Sequence, residues 1–260
     1  MKRLGVFFSR RWILATVLVL AGAALCARLG IWQLDRLDQR RAFNSRVSTQ
    51  QAQPVLVLDA AVLRSGDLEG ELNGMEYRAV RVTGVYDFEQ QVVLRNQVHG
   101  NFSGLHLLTP LRITDSDRTV LVDRGWIPAE DALPENWGKY DEPGEVTVMG
   151  LIRAGQSKPD FGRIADAIPV QGERLESWNL VNLSAIALQL PYPLLGMYVQ
   201  QSPDPAWTDL PYRSAPDLEL TEGPHMGYAI QWFTFAVLLL GGYPVFVNRE
   251  ESRALPSKNS

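Results

Sequence analysis

Residues 226–247 read MGYAIQWFTFAVLLLGGYPVFV, and none of them is charged. A helix rises about 1.5 Å per residue, so a run of this length spans the roughly 30 Å hydrocarbon core of a bilayer. A second apolar run, WILATVLVLAGAALCA, occupies 12–27 and extends to residue 34 if Arg28 turns its guanidinium outward to the headgroups. Two spans place the intervening segment on one side of a membrane and both termini on the other. The competing reading of the first run is a cleavable secretory signal, with Lys2, Arg3, Arg10 and Arg11 as its basic start. Ala21 to Ala24 offers small residues for cleavage, but no break follows, and the apolar run passes into a helical pattern. An uncleaved span is therefore preferred.

The average composition hides this layout. Over 260 residues the net charge is −4 and the mean hydropathy is −0.09. The first 34 residues hold five bases and no acid, so the acidic excess lies between the spans. Four bases ahead of the first span suggest a cytoplasmic amino terminus, although the flank after it is basic too, so charge bias alone does not decide the orientation. The expected division is a cytoplasmic segment 1–11, a span 12–34, an extracytoplasmic domain 35–224, a span 225–247 and a cytoplasmic tail 248–260. An acidic domain argues against a nucleic-acid partner. Cys26, inside the first span, is the only cysteine, which excludes a disulfide framework and a cysteine metal site. Without an Arg/Ser-rich transit leader, a bacterial plasma membrane is expected rather than an organelle.

Between the spans, residues 35–53 continue in helical pattern until Pro54. Strand signals then dominate. In YRAVRVTGVY (77–86), Val80, Val82 and Tyr86 alternate with Arg81 and Thr83, the mark of a half-buried strand. NQVHGNFSG (96–104) reads as a hairpin loop, and RTVLVDRGWIP, GEVTVMGLIRA and GMYVQQ as further strands. NLSAIALQL (182–190), with Asn182 as N-cap and Pro191 after it, is the one clear short helix. Residues 129–144 and 155–177 read as loops. The expected fold is an α+β membrane protein: an antiparallel β-rich extracytoplasmic domain between two transmembrane helices.

Catalytic motifs are missing. GNFSG is not a Gly-x-Ser-x-Gly elbow, and neither a His-Glu-x-x-His nor a Gly-rich phosphate loop is present, so an enzyme is not expected. His99 and His106 flank the predicted hairpin loop. They are read as a loop histidine and a strand histidine on a solvated face, with a shared metal as the lesser alternative. His225 stands immediately before the second span, with Tyr228, Trp232, Leu239 and Tyr243 on its helical face and Gln231 nearby. A neutral imidazole at the bilayer boundary above aromatic side chains suits axial ligation of haem. On spacing alone an interfacial aromatic belt explains it as well.

The first span ends in ARLGIWQLDRLDQRR, where Arg28, Trp32, Arg36 and Arg40 recur every four residues beside Gln33. Guanidinium groups pair with carboxylates, such as the two propionates of a haem. They equally snorkel to lipid phosphates, with Arg28 stacked on Trp32.

These segments together resemble the Surfeit-locus-1 family of cytochrome c oxidase assembly factors. The family ends its first span in Gly-x-Trp-Gln-x-x-Arg, matched by Gly30, Trp32, Gln33 and Arg36. Thr83-Gly84, Thr109-Pro110-Leu111 and the Arg-Gly-Trp of Arg124, Gly125 and Trp126 follow in order. His-x-x-Tyr-Ala-x-x-Trp-Phe is matched by His225, Tyr228, Ala229, Trp232 and Phe233. The resemblance implies a non-catalytic factor that holds haem a transiently for insertion into cytochrome c oxidase subunit I, in company with other oxidase assembly factors and the lipid bilayer. His225 is then the iron ligand. Tyr228 and Trp232 flank it, and Arg28, Gln33 and Arg36 are candidate propionate partners. Trp126 is expected to pack the domain. The alternative is a membrane-anchored scaffold that binds oxidase subunits without holding haem. An extracytoplasmic sensor is disfavoured, because the tail NREESRALPSKNS is too short for an output module.

Overall fold

The computed structural model describes residues 4–64, 72, 74–159, 166, 169 and 174–254. They form two compact units, Met1–Arg46 with Glu219–Ser260, and Val47–Leu218.

The first unit is built on two helices. Helix α1 covers Ile13–Gln51, so the helical pattern seen after residue 34 is one unbroken helix that stops just before Pro54. The helix of the second span covers His225–Ala254 and contains Pro244. Both are long and apolar enough to cross a membrane. They run antiparallel. Thr16 Oγ1 lies 2.7 Å from the Tyr243 hydroxyl, and Trp12 Nε1 donates to Glu251 over 2.8 Å. At the other end Arg41 holds Glu222 in two-pronged geometry at 2.9 Å.

The seam between them is lined by small residues, with Ala23, Ala229 and Ala236 buried. A Cβ on Gly30 would lie 2.8 Å from the Phe233 ring. Lipid tails are as apolar as leucine, so helices in a bilayer gain by close backbone approach, and small residues permit it. Their outer faces expose Leu14, Leu18, Val237 and Leu238, as a lipid-facing surface requires.

The second unit is an eight-stranded sheet: β1 Leu56–Leu58, β2 Ala79–Tyr86, β3 Val92–His99, β4 Phe102–Ile113, β5 Thr119–Pro128, β6 Glu145–Ala154, β7 Ser177–Trp178 and β8 Leu194–Gln201. Its order is β1-β2-β6-β8-β5-β4-β3-β7, and β2 also pairs with β4. That extra pairing closes β2-β6-β8-β5-β4 into a barrel. Gly84 makes the closure possible. It opposes Ile113, and a Cβ there would sit 2.2 Å from the Arg112 carbonyl oxygen. Val80, Val82 and Tyr86 point inward as their alternation predicts, and join Leu111, Val120, Val122, Val148, Ile152 and Val199 in the barrel core.

Among the described residues two short helices accompany the sheet: α2 Ala60–Arg64 and α3 Leu183–Ala187, where Asn182 caps α3 by accepting from the Ala185 N–H. The second-span helix is therefore α4.

The sheet differs from the sequence-based expectation in detail. Three pairings are parallel: β1–β2, β3–β7 and β5–β8. β8 returns beside β5 only after the long connection through β6 and α3, and such a return leaves its direction free. β5, with neighbours on both edges, is buried along its length up to Ile127. The predicted 96–104 loop is a tight turn at Gly100 and Asn101 between two strands. Residues 129–144 hold two 3-10 turns, Ala129–Asp131 and Pro134–Tyr140. Part of the predicted 155–177 loop, and residues 255–260, lie outside the described residues.

Candidate functional site

His225 is the first residue of α4, and the Tyr228 N–H closes the first helical turn on the Pro224 carbonyl. Its ring meets α1: Nδ1 lies 2.8 Å from Gln33 Oε1. An amide oxygen only accepts, so Nδ1 carries the proton of this contact; in the neutral tautomer that donates from Nδ1, Nε2 is the nitrogen with the free lone pair. Nε2 has no hydrogen-bond partner among the described residues. Gly223 sits against it in a left-handed conformation, φ +67°, and a Cβ at that position would come within 3.4 Å of Cδ2 and 3.5 Å of Nε2. A glycine thus satisfies the turn and leaves the basic nitrogen uncovered. A histidine with one ring nitrogen fixed by a carbonyl and the other free is the usual setting of a metal-ligating imidazole.

The other predicted residues divide. Tyr228 and Trp232 lie one and two turns along α4 from His225. Tyr228 is exposed, and Trp232 meets Phe235 edge-on at 5.9 Å. Arg36 donates to Gln39 over 3.0 Å, and its guanidinium stands 5.5 Å from the Trp32 ring centroid. Arg36, rather than Arg28, therefore stacks on Trp32. Arg28 is exposed and without a polar partner among the described residues. Gln33 and His225 are brought together; Arg28 is not brought to them. Each four-residue step overshoots a full helical turn by about 40°, so the arginine column sweeps about 120° around α1 between Arg28 and Arg40. Arg28 ends about 140° from Gln33. Arg40 is engaged at the Glu219 carbonyl over 3.0 Å. Arg41 and its partner Glu222, both on the surface, hold each other charged: hydrogen bonding to Arg41 lowers the Glu222 pKa.

In the β unit the histidines do not share a site. His99 stacks on Tyr212 at 3.8 Å between centroids, with Trp126 at 5.4 Å. His106 is largely buried, not solvated. Its Nδ1 lies 2.9 and 3.0 Å from the two carboxylate oxygens of Asp123. Burial disfavours its imidazolium, but the charge and hydrogen bond of Asp123 outweigh burial, and the pKa is raised. Among the described residues no group of three or more His, Cys, Asp or Glu is placed to hold a metal.

Arg124, inside β5, is completely buried. It donates to Gln91 over 3.1 Å, to the Tyr140 carbonyl and to Glu142 over 3.0 Å. Arg213 donates to the same Glu142 carboxylate at 3.0 Å, and the Arg124 guanidinium packs over Tyr86 and Phe88. Trp126 is 8% exposed and lies in β5, as its segment's strand pattern predicts. The Arg-Gly-Trp segment is thus a core polar bracket followed by a packing aromatic.

Sequence reasoning missed the contact of Gln33: expected to face a propionate, it meets His225 instead. The Gly223-Pro224 pair ahead of His225 stands out in the sequence, and a glycine there signals a left-handed turn before a helix, but the closeness of that turn to Nε2 is visible only in the structure.

Comparison with known proteins covers almost all of this architecture. A family model described as the SURF1 family matches residues 20–237. A SURF1-like protein of Rickettsia bellii is 24% identical, over 89% of this chain and 90% of its own length. A SURF1-like protein of Caenorhabditis briggsae is 23% identical, over 88% of this chain and 74% of its own. The human Surfeit locus protein 1 is 27% identical over 68% of this chain and 58% of its own.

Proposed function

Because the chain belongs to the SURF1 family, we propose that it is a two-pass, membrane-anchored assembly factor for haem-copper (cytochrome c) oxidase, holding haem a for transfer to subunit I. The observation that carries the haem reading is the 2.8 Å bond from His225 Nδ1 to Gln33 Oε1. It puts a proton on Nδ1 and leaves Nε2, beside Gly223, without a hydrogen-bond partner among the described residues. Haem would supply an iron for that nitrogen and two carboxylates for guanidinium groups.

The residues of this chain then have separable tasks. His225 ligates through Nε2. Gln33 holds the ring and strengthens its basicity by accepting from Nδ1. Tyr228 and Trp232 offer apolar ring faces along α4. Arg36 keeps donors beyond its bond to Gln39 for a carboxylate, whereas Arg28, on the far side of α1, serves the lipid headgroups. No residue is assigned a catalytic step. A single neutral ligand gives a hold that is easily surrendered, which suits delivery rather than storage. The basic amino terminus supports an orientation with both termini in the cytoplasm of a bacterial cell and the β unit outside the plasma membrane.

The scaffold reading has one observation in its favour: the arginine column does not converge on His225. The two readings separate by absorption spectroscopy of the detergent-purified full chain, made in cells that synthesise haem a. The wild type should carry a haem band. His225→Ala should lose or shift it, and Gln33→Leu should weaken haem affinity by about 10- to 100-fold, as loss of an orienting partner does. Equal haem in all three chains, or none in any, would leave the scaffold.

A further inference from the structure

Between Arg95 and Arg112 the chain has no Asp, Glu, Lys or Arg, although it lies in the acidic part of the molecule. This stretch is the β3–β4 hairpin. Its apex is the Gly100–Asn101 turn, with Gly100 at φ +60°. Val98 and Phe102 flank the turn and are 68% and 71% exposed. One exposed apolar side chain is ordinary, but an uncharged hairpin with two at its apex is a surface that sheets normally guard with charge.

The flank of the hairpin is poorly made for receiving another strand. β3 is broken by a register shift between Leu94 and Gln97, where Asn96 adopts φ +60°, and such a bulge twists an edge away from strand addition. Arg95 faces Asp166 at 3.9 Å, so its charge is locally answered. The apex is what remains available.

The apex is also firmly backed. His99 pairs with Phe102 across the hairpin and stacks on Tyr212. Tyr212 and Trp126 exchange two backbone hydrogen bonds, at 2.8 and 2.9 Å. Gly104 lies so close to the Trp126 indole that a Cβ would meet Nε1 at 2.4 Å. From Tyr212, residues 213–224 lead directly to His225 and the second span. The residues behind the apex are thus tied in sequence to a membrane anchor, and the β unit is tethered to the bilayer at both ends, which raises the local concentration of lipid around it.

We propose that the apex of the β3–β4 hairpin dips Val98 and Phe102 into the headgroup–acyl boundary of the bilayer, as a third membrane contact beside the two spans. An uncharged tip avoids the desolvation cost of burying ions, and His99, Tyr212 and Trp126 behind it have the amphipathic character of interfacial aromatic belts. Glu130 and Glu135, in the segment after β5, keep that flank in water and confine the contact to the apex.

The test uses the full chain in a Cys26→Ala background, reconstituted into phosphatidylethanolamine–phosphatidylglycerol vesicles. Single cysteines at Phe102, at Val98 and, as a control, at Asp117 are labelled with an environment-sensitive fluorophore. Asp117 sits in the β4–β5 turn with its side chain 91% exposed. Labels at 98 and 102 should be blue-shifted and quenched by lipids carrying nitroxide on the upper acyl chain, several-fold more than the label at 117. The Val98 label should lose that quenching when Phe102→Asp is added. Equal quenching at all three sites would overturn the proposal. So would a Val98 label indifferent to Phe102→Asp, or a tip shielded only after purified oxidase subunits are added, which would make the apex a protein-docking surface.

Discussion

Leu107 and Leu121, in the sheet, are fully buried, whereas Leu14, Leu18 and Leu238, in the helix pair, are 62–70% exposed. Polar groups show the complementary contrast. The β unit buries Arg124 completely and surrounds it with a carbonyl, a carboxamide and a carboxylate. The described polar contacts between the two helices lie at their ends, from Thr16, Tyr243, Trp12 and Glu251 at one to Gln33, His225, Arg41 and Glu222 at the other. One chain has thus solved two solvents. In water the unit is held by apolar burial, and buried charge must be answered locally. In lipid the outward face carries the leucines, and the inward seam relies on small residues and terminal hydrogen bonds.

The contrast can be broken where it is sharpest. Arg124→Ala should be the most damaging of the substitutions considered, costing about 3–5 kcal/mol. It leaves Gln91, Glu142 and the Tyr140 carbonyl short of a donor in the core. Thermal unfolding of the detergent-purified chain, followed by tryptophan fluorescence, should show the loss, and an unchanged midpoint would refute a structural role for the bracket.

Gly30→Leu tests the other solvent. It forces side-chain atoms into the space of the Phe233 ring, and overpacking of this kind costs about 1–3 kcal/mol. Disulfide trapping between cysteines placed at Gly22 and Leu239, where a Cβ on Gly22 would lie 3.5 Å from Leu239 Cδ1, should become inefficient in the variant. Trapping as efficient as in the parent would show that the seam tolerates bulk.

The His106–Asp123 pair predicts a smaller, pH-dependent effect. The folded-state pKa of His106 is raised above 6.5, so its contribution is complete below about pH 6.5 and fades as pH rises through the raised value. His106→Gln should flatten that part of the stability profile, and a slope that persists would assign it to another group. Smallest of all, Arg41→Ala should leave unfolding unchanged within error, because the Arg41 and Glu222 side chains are exposed and water screens the pair.

Much of the fold was legible in the sequence because it rests on local periodicity. The spans, the helix running to Gln51, the alternation in β2 and the Asn182 cap all follow from neighbours a few residues apart. The barrel closure did not, since Gly84 against Arg112 joins strands whose contact no local pattern encodes. The parallel β5–β8 pairing likewise depends on a long return. At the candidate site, His225 stands out by its position before an uncharged run. Its contact with Gln33 does not, because that depends on the rotation of α1 against α4. A four-residue spacing read as a straight column hid the drift that carries Arg28 away. His106 looked like a solvated strand residue because its partner, Asp123, lies on the adjacent strand.

The most direct test of the account is chemical complementation of the ligand. His225→Gly removes the imidazole and opens space where it stood. The purified full chain from haem a-producing cells is compared with and without added imidazole. The account predicts no haem band in the variant alone and a restored band when imidazole is supplied. A haem content equal to wild type without imidazole, or a band that imidazole does not bring back, would contradict ligation by His225.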